Sequence, residues 1–152
     1  MSPTLRTVTD PAEALAFAGD LDRYAAEFQV QFSDEPYPMG AAARFLEERF
    51  EDPATLLLEA RDPEQGTLGL CLIGPLVDPL MASSTPTVLV LYVVPTWRHR
   101  GIARALIKAA SGVLSERGVR GLSARVGHND DALISMGERW GFVRHWEVLL
   151  RE

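Results

Sequence analysis

The sequence predicts a mixed α/β (α+β) fold, and three observations carry that expectation. Short apolar runs rich in β-branched residues alternate with stretches of helical periodicity. The runs at 54–59, 67–76 and 87–94 lack strict alternation, which fits a sheet covered on both faces. The element order reads β-α-α-β-β-β-α-β-α-β, with no internal repeat, linker or low-complexity tract. A chain of 152 residues fits one domain with a sizeable core.

The first strand is expected at 5–9, which alternates weakly. Thr9-Asp10-Pro11 then supplies a capping side chain and a first-turn proline. Leu15, Ala18, Leu21, Tyr24, Ala25 and Phe28 recur at helical spacing over 12–31, with Gly19 as the expected weak point. Two prolines and a glycine make 32–40 a loop. A helix follows at Ala41–Phe50, with Ala43, Phe45, Leu46 and Phe50 inward. Residues 54–59 and 67–76 read as a hairpin around Arg61-Asp62-Pro63-Glu64-Gln65-Gly66.

Pro79 and Pro86 mark 77–86 as an irregular loop, and 87–94 as the central strand that follows it. The clearest helix is 102–117, with Ile102, Leu106, Ala109 and Val113 along one face and Gly118 just past its end. A strand at 119–126, a turn at 127–130, a helix at 131–140 closed by Gly141, and a final strand at 142–150 complete the order.

Composition narrows the function classes. Apolar residues make up 47% and charged residues 24%, and the net charge is −6. That charge argues against broad nucleic-acid binding and leaves room for a cationic small substrate. The single cysteine, Cys71, lies inside LGLCLIG and reads as a buried small hydrophobe, so no disulfide framework or cysteine zinc site is expected. The three histidines are scattered, and no metal is expected. No run approaches about eighteen apolar residues. The expectation is a soluble cytoplasmic protein without signal peptide, membrane span or membrane partner.

The chemistry concentrates in 88–114. Arg98-His99-Arg100-Gly101-Ile102-Ala103 joins the central strand to the best helix. Gly101 and Ala103 allow close backbone approach, and the first helical turn offers unpaired N–H groups at a positive dipole end. Arg98, Arg100 and Arg104 add charge, so a pyrophosphate is the expected ligand class. Neither G-x-G-x-x-G nor G-x-x-x-x-G-K-[ST] is present. Taken alone, R-x-x-G-x-A also fits a basic surface loop.

The segment LYVVPTWRHRGIARAL resembles the acyl-CoA loop of the GNAT superfamily of N-acyltransferases, which carries a V-x-P turn followed by R/Q-x-x-G-x-G/A. Val93-Val94-Pro95 and residues 98–103 match both parts, and Asn129 and Gly141-Phe142 resemble the family's C-terminal pattern. The resemblance implies a mostly antiparallel sheet of six or seven strands flanked by about four helices. It implies acetyl-CoA as cosubstrate, with pyrophosphate on His99, Arg100, Gly101, Ile102, Ala103 and Arg104, assisted by Arg98. It implies a pantetheine arm paired with backbone at Leu91, Tyr92 and Val93, in an opening between the fourth and fifth strands. Asn129 would bond the pantetheine. A backbone N–H would stabilise the oxyanion, and positioning of amine against thioester would supply much of the catalysis.

The acid–base half of such a site departs from the pattern. The position of the family's usual Tyr on the last helix falls at Met136 or Gly137, with Ser135 the nearest hydroxyl. The fourth and fifth strands carry no carboxylate. Candidates for the proton route are Glu35 with the rest of 34–37, Tyr92, Ser135, His128 or water. Tyr92 also fits a core role, His128 and His99 solvent-facing loops, His145 a structural position, and Trp97, Trp140 and Trp146 packing. The implied activity is acetyl transfer to a primary amine by direct attack in a ternary complex. The alternative is an acyl-CoA sensor with little turnover; a nucleotide-binding domain is a third reading. A homodimer is possible, with the strand of Trp146 at an edge.

Overall fold

The computed structural model describes residues 2–31, 33–78, 80, 83–127, 130–145, 149 and 151. Five strands form one sheet in chain order: β1 (Thr4–Val8), β2 (Leu56–Asp62), β3 (Gly66–Asp78), β4 (Ser83–Val93) and β5 (Ser123–Ala124). β1 to β4 pair antiparallel and β5 joins β4 in parallel. The helices are α1 (Pro11–Leu15), α2 (Ala18–Gln29), α3 (Ala41–Phe50), α4 (Ile102–Glu116) and α5 (Asp131–Arg139). A parallel pair needs a crossover, and α4 supplies it between β4 and β5.

The apolar runs are buried on both sides, as their lack of alternation predicts. Leu56, Leu58, Ala60, Cys71 and Ile73 face α4 through Ile102, Leu106 and Ala110. Leu57, Leu70 and Leu72 face the other way, against Ala14, Phe17, Leu21 and Tyr24 of the α1–α2 segment and Leu46 of α3. Each fully buried leucine contributes roughly 1.5–3 kcal/mol relative to exposure. Gly69 sets how closely α4 approaches. A Cβ there would meet Tyr92 O at 2.9 Å, Leu106 Cδ1 at 3.2 Å and Ile102 Cγ2 at 3.3 Å.

Several expected boundaries move. The first helix breaks at Ala16-Phe17, before Gly19, where Phe17 is buried and its carbonyl starts α2 by accepting from Leu21 N. The expected loop 77–86 is largely sheet: β3 reaches Asp78 and β4 starts at Ser83. Its Pro86 lies opposite Pro75. Two prolines can share a rung only where the backbone groups of both point away from each other, so neither lacks a ladder donor. The strand expected at 119–126 contracts to two residues, because Gly118 and Gly121 adopt left-handed φ of 72° and 87°. Residues 142–145 form no strand, and Val143 stands 82% exposed. Trp146 lies outside the described residues. The sheet among the described residues therefore has five strands rather than six or seven.

One irregularity in β4 positions everything downstream. Leu72 pairs with Val90 and Ile73 with Val88, so Leu89 is an extra residue, a β-bulge. Pairing with β5 covers only Thr87 and Val88, and stops where the bulge bends β4.

Candidate active site

Beyond the bulge, one edge of β4 has no strand partner among the described residues. Val94 N donates to Leu68 O at 2.8 Å, so Val94 faces β3. By strand alternation the N–H and C=O groups of Leu91 and Val93 point to the opposite side, where β5 does not pair. The Leu91 and Val93 side chains belong to the α4 face, while that of Tyr92 turns to the α1–α3 face.

The open edge leads into the basic loop. Pro95–Trp97 form one 3-10 turn, His99 takes a left-handed φ of 62°, and Gly101 takes 82° before α4 begins. Gly101 is required by that conformation, and a Cβ on it would meet nothing within 4 Å, so the space above it is free. The first helical bond is Ala105 N to Gly101 O at 3.0 Å, and α4 has no side-chain cap. The amides from His99 to Arg104 thus find no acceptor among the described residues. Ile102 is buried and anchors the turn from below, while Gly101 and Arg104 are exposed and Ala103 is half-buried. Arg98, Arg100 and Arg104 have no carboxylate partner among the described residues, although the chain as a whole is acidic. Free amides at a helix start beside guanidinium groups without a carboxylate partner are suited to hold a phosphorylated ligand.

The arginines are not all aimed alike. Arg98 reaches back along the strand: its Nε donates to Val93 O at 2.9 Å and its guanidinium lies 5.2 Å from the Tyr92 ring centre. Arg100 stacks over Trp97 at 4.8 Å, and Trp97 Nε1 donates to Gln65 Oε1 at 2.9 Å. Trp97 and Trp140 pack against the α4 core, which is the packing role.

On the other face, Tyr92 stacks on Tyr24 with ring centres 3.4 Å apart and planes 16° from parallel. The Tyr92 hydroxyl donates to the carboxylate of Glu27 on α2. Burial, and then the bond to Glu27, push the Tyr92 phenol up to about 12. The neighbouring loop is held by Asp22. Its Oδ1 accepts from Ala42 N and from the Tyr37 hydroxyl, and its Oδ2 from Gly40 N, each at 3.0 Å. The Ala42 amide is the largest influence holding the Asp22 carboxyl below the usual carboxylate range. Gln29 Nε2 donates to Glu35 O at 2.9 Å, so the Glu35 backbone is fixed while its side chain is exposed.

The structure therefore brings together Leu91, Tyr92, Val93 and Arg98, and runs them into His99, Arg100, Gly101, Ile102, Ala103 and Arg104. It leaves Ser135 apart, exposed on α5, whose flanking Trp140 and Phe142 pack on the α4 core. Asn129 and His128 lie outside the described residues. Glu27 and Tyr24, which touch Tyr92, and Asp22, which holds Tyr37, are the neighbours of the candidate residues that sequence reasoning missed. Their one signal is that Asp22 and Glu27 flank the apolar stripe of α2, as many solvated acids do. Among the described residues, no group of three or more His, Cys, Asp or Glu side chains is arranged to hold a metal ion, and no helix is long and apolar enough to cross a membrane.

Comparison with known proteins gives the class to which this strand, loop and helix belong. Residues 21–142 match the Acetyltransferase (GNAT) family, and the chain belongs to that family. No curated protein matches the chain by sequence. Among solved structures, it is similar to a ribosomal-protein-alanine N-acetyltransferase from Brucella melitensis biovar Abortus 2308. Identity there is 19%, coverage 98% of this chain and 99% of the other, and TM-score 0.66. The aminoglycoside antibiotic 6'-N-acetyltransferase AAC(6')-Ih from Acinetobacter baumannii is 12% identical over 98% and 96% of the two chains, with TM-score 0.70. AAC(6')-Iy in complex with the bisubstrate analog CoA-S-monomethyl-acetylneamine is 15% identical over 100% and 98%, with TM-score 0.72. At these identities the likeness is one of fold.

Proposed function

We propose that this chain is a one-domain N-acetyltransferase that moves an acetyl group from acetyl-CoA to a primary amine by direct attack in a ternary complex. The observation that carries this reading is the continuity of two surfaces whose backbone N–H groups have no partner among the described residues. The open β4 edge at Leu91 and Val93 runs into the acceptor-free amides from His99 to Arg104. A ligand with an amide-bearing arm and a pyrophosphate fits both: the arm adds as a strand, and the phosphates sit on the helix start with Arg100 and Arg104. Arg98, bonded to Val93 O, would adjust as the arm pairs, or hold the carbonyl beside it. A Leu91 or Val93 N–H on this edge is a donor suited to a developing oxyanion.

Direct attack, rather than passage through an acyl-enzyme, is supported by Cys71. It is the chain's only thiol, fully buried, and burial pushes its pKa up to about 12, so it is inert as a nucleophile. The acceptor would approach on the face of Tyr92, where residues 33–40 and α2 meet. The relatives in fold act on aminoglycosides and on a ribosomal protein's alanine, so the panel of amines should include both aminoglycosides and peptide N-termini.

The test is thiol release from acetyl-CoA in the presence of aminoglycosides, amino acids, polyamines and short peptides, together with calorimetric binding of acetyl-CoA. Amine-dependent release with matching acetylated product is expected. Tight acetyl-CoA binding without release for any amine would mark an acyl-CoA sensor. Stabilisation by ATP but not by acetyl-CoA would overturn both.

A further inference from the structure

The proposal above leaves the amine's proton without a destination, because β4 and β5 offer no carboxylate. The structure supplies one from another element. Tyr92 lies between the two residues whose backbone faces the open edge, and its hydroxyl ends on the carboxylate of Glu27. The phenol is fixed on both sides, by the ring of Tyr24 at 3.4 Å and the guanidinium of Arg98 at 5.2 Å. Tyr24 itself is only 3% exposed and so is a rigid platform.

Glu27 is exposed and has no cationic partner among the described residues. Other acids near this face are differently engaged. Asp22 is buried under three donors, Asp20 pairs with Arg23, and Glu35 has only its backbone tied to α2. Glu27 is thus a carboxylate oriented by one strong donor, with lone pairs still open to a cation.

We propose that Glu27 binds the acceptor amine and takes its proton, and that Tyr92 is the positioning residue that holds Glu27 beside the β4 edge. This rests on the acetyltransferase reading. The amine arrives as an ammonium, loses one proton through the exposed Glu27 carboxylate to solvent, and as the neutral amine attacks the thioester carbonyl carbon, forming a C–N bond. The nitrogen becomes positive as it does so, and its proton becomes acidic enough to pass to the Glu27 carboxylate. The C–S bond breaks with its electron pair, the thiolate takes a proton from solvent, and exposed Glu27 returns its own to solvent. The acceptor class is a primary amine that arrives cationic, since an unpaired carboxylate is what it meets first.

The test uses the full chain and the variants Glu27→Gln, Glu27→Asp and Tyr92→Phe. Glu27→Gln should bind acetyl-CoA as wild type does and keep its melting temperature. It should lose on the order of 10²-fold in kcat with the best amine and raise the KM for that amine. Glu27→Asp should recover part of that activity. Tyr92→Phe should raise the KM for the amine and lose less in kcat. A second readout needs no turnover: calorimetric binding of the amine to the CoA-loaded protein should weaken at least about tenfold in Glu27→Gln. Glu27→Gln within threefold of wild type in kcat overturns the proposal, as does unchanged amine binding. A wild type that binds acetyl-CoA and acetylates no amine overturns it while leaving the cofactor site standing. A wild type that does not bind acetyl-CoA removes the acetyltransferase reading itself.

Discussion

Asp22 ties residues 37–42 to α2 through three hydrogen bonds, and Asp22→Asn probes that tie with almost no change in volume. The carboxylate is 7% exposed and accepts from Ala42 N, Gly40 N and the Tyr37 hydroxyl, each at 3.0 Å. Hydrogen bonds to a charged group contribute roughly 1.5–3 kcal/mol each. Asn keeps one carbonyl acceptor but turns an NH2 group toward a backbone N–H, of Gly40 or of Ala42, that cannot accept. One or two of the three bonds are lost, so unfolding should be easier by about 2–4 kcal/mol. For a chain of this length that is a fall in Tm of roughly 5–15 °C. Urea unfolding followed by far-UV circular dichroism at neutral pH measures it.

The sign of the pH dependence is fixed as well. The Asp22 carboxyl is held below its ordinary value in the folded state, so its contribution is full above the unfolded value of about 3.9. It is lost as pH falls through the folded value. The gap between wild type and Asp22→Asn should therefore narrow in acid. A loss smaller than about 0.5 kcal/mol, or a gap that does not shrink as pH falls below about 4, refutes the account of Asp22 as an ionised clamp.

Three other outcomes are expected. Gly101→Asp places a carboxylate in the free space above the acceptor-free amides, at a φ of 82°; acetyl-CoA affinity should fall at least about tenfold, while strain costs the fold only ~1–2 kcal/mol, and an unchanged calorimetric Kd would remove the loop as the phosphate site. Gly69→Ala brings a Cβ to 2.9 Å from Tyr92 O, a backbone atom that cannot turn away, so a loss of about 1–3 kcal/mol in urea unfolding is expected; a neutral result would mean that β3 and β4 can separate without cost. Glu59, fully buried, accepts from Arg6 at 2.9 and 3.2 Å, from Arg61 at 3.2 Å and from Thr67 at 2.8 Å. Both arginines are half-exposed and can turn to water, so Glu59→Gln should cost about 1–2 kcal/mol rather than the 3–5 of a fully buried pair, and a cost near zero would show that Thr67 alone satisfies the site.

The two halves of the candidate site differed in how far the sequence disclosed them, and the cause is range. The cofactor half uses consecutive backbone: a strand end, a left-handed glycine and a first helical turn. Its determinants, Val93-Val94-Pro95 and Arg98 to Ala103, are contiguous, so local patterns reveal it. The acceptor half is assembled across the chain. Tyr92 and Glu27 are 65 residues apart, and Asp22 and Ala42 are 20 apart. An acid beside the apolar stripe of α2 looks like any solvated acid until the sheet arrives opposite it. The loop 33–40, unreadable as regular structure, was placed correctly as irregular, but nothing in its own residues named Asp22 as its anchor.

The bulge at Leu89 is the least legible feature and has the largest consequence. No glycine or proline marks it; Val88-Leu89-Val90-Leu91 reads as an uninterrupted apolar strand. Were Leu89 an ordinary rung rather than a bulge, strict alternation would put Val88, Val90 and Tyr92 on one face. With it, Val88 joins Leu91 on the α4 face, while Leu89, Val90 and Tyr92 turn to α2 and α3. The same residue ends the pairing with β5, after Val88. One inserted residue thus ends the β5 pairing before Leu91, while Val90, Leu91 and Tyr92 keep the faces that a strand without Leu89 would give them. Deleting Leu89 should therefore extend the β4–β5 pairing toward Leu91 and weaken acetyl-CoA binding while Tyr92 stays opposite Glu27, and a deletion variant that binds acetyl-CoA as wild type does would refute the bulge as the cause of the open edge.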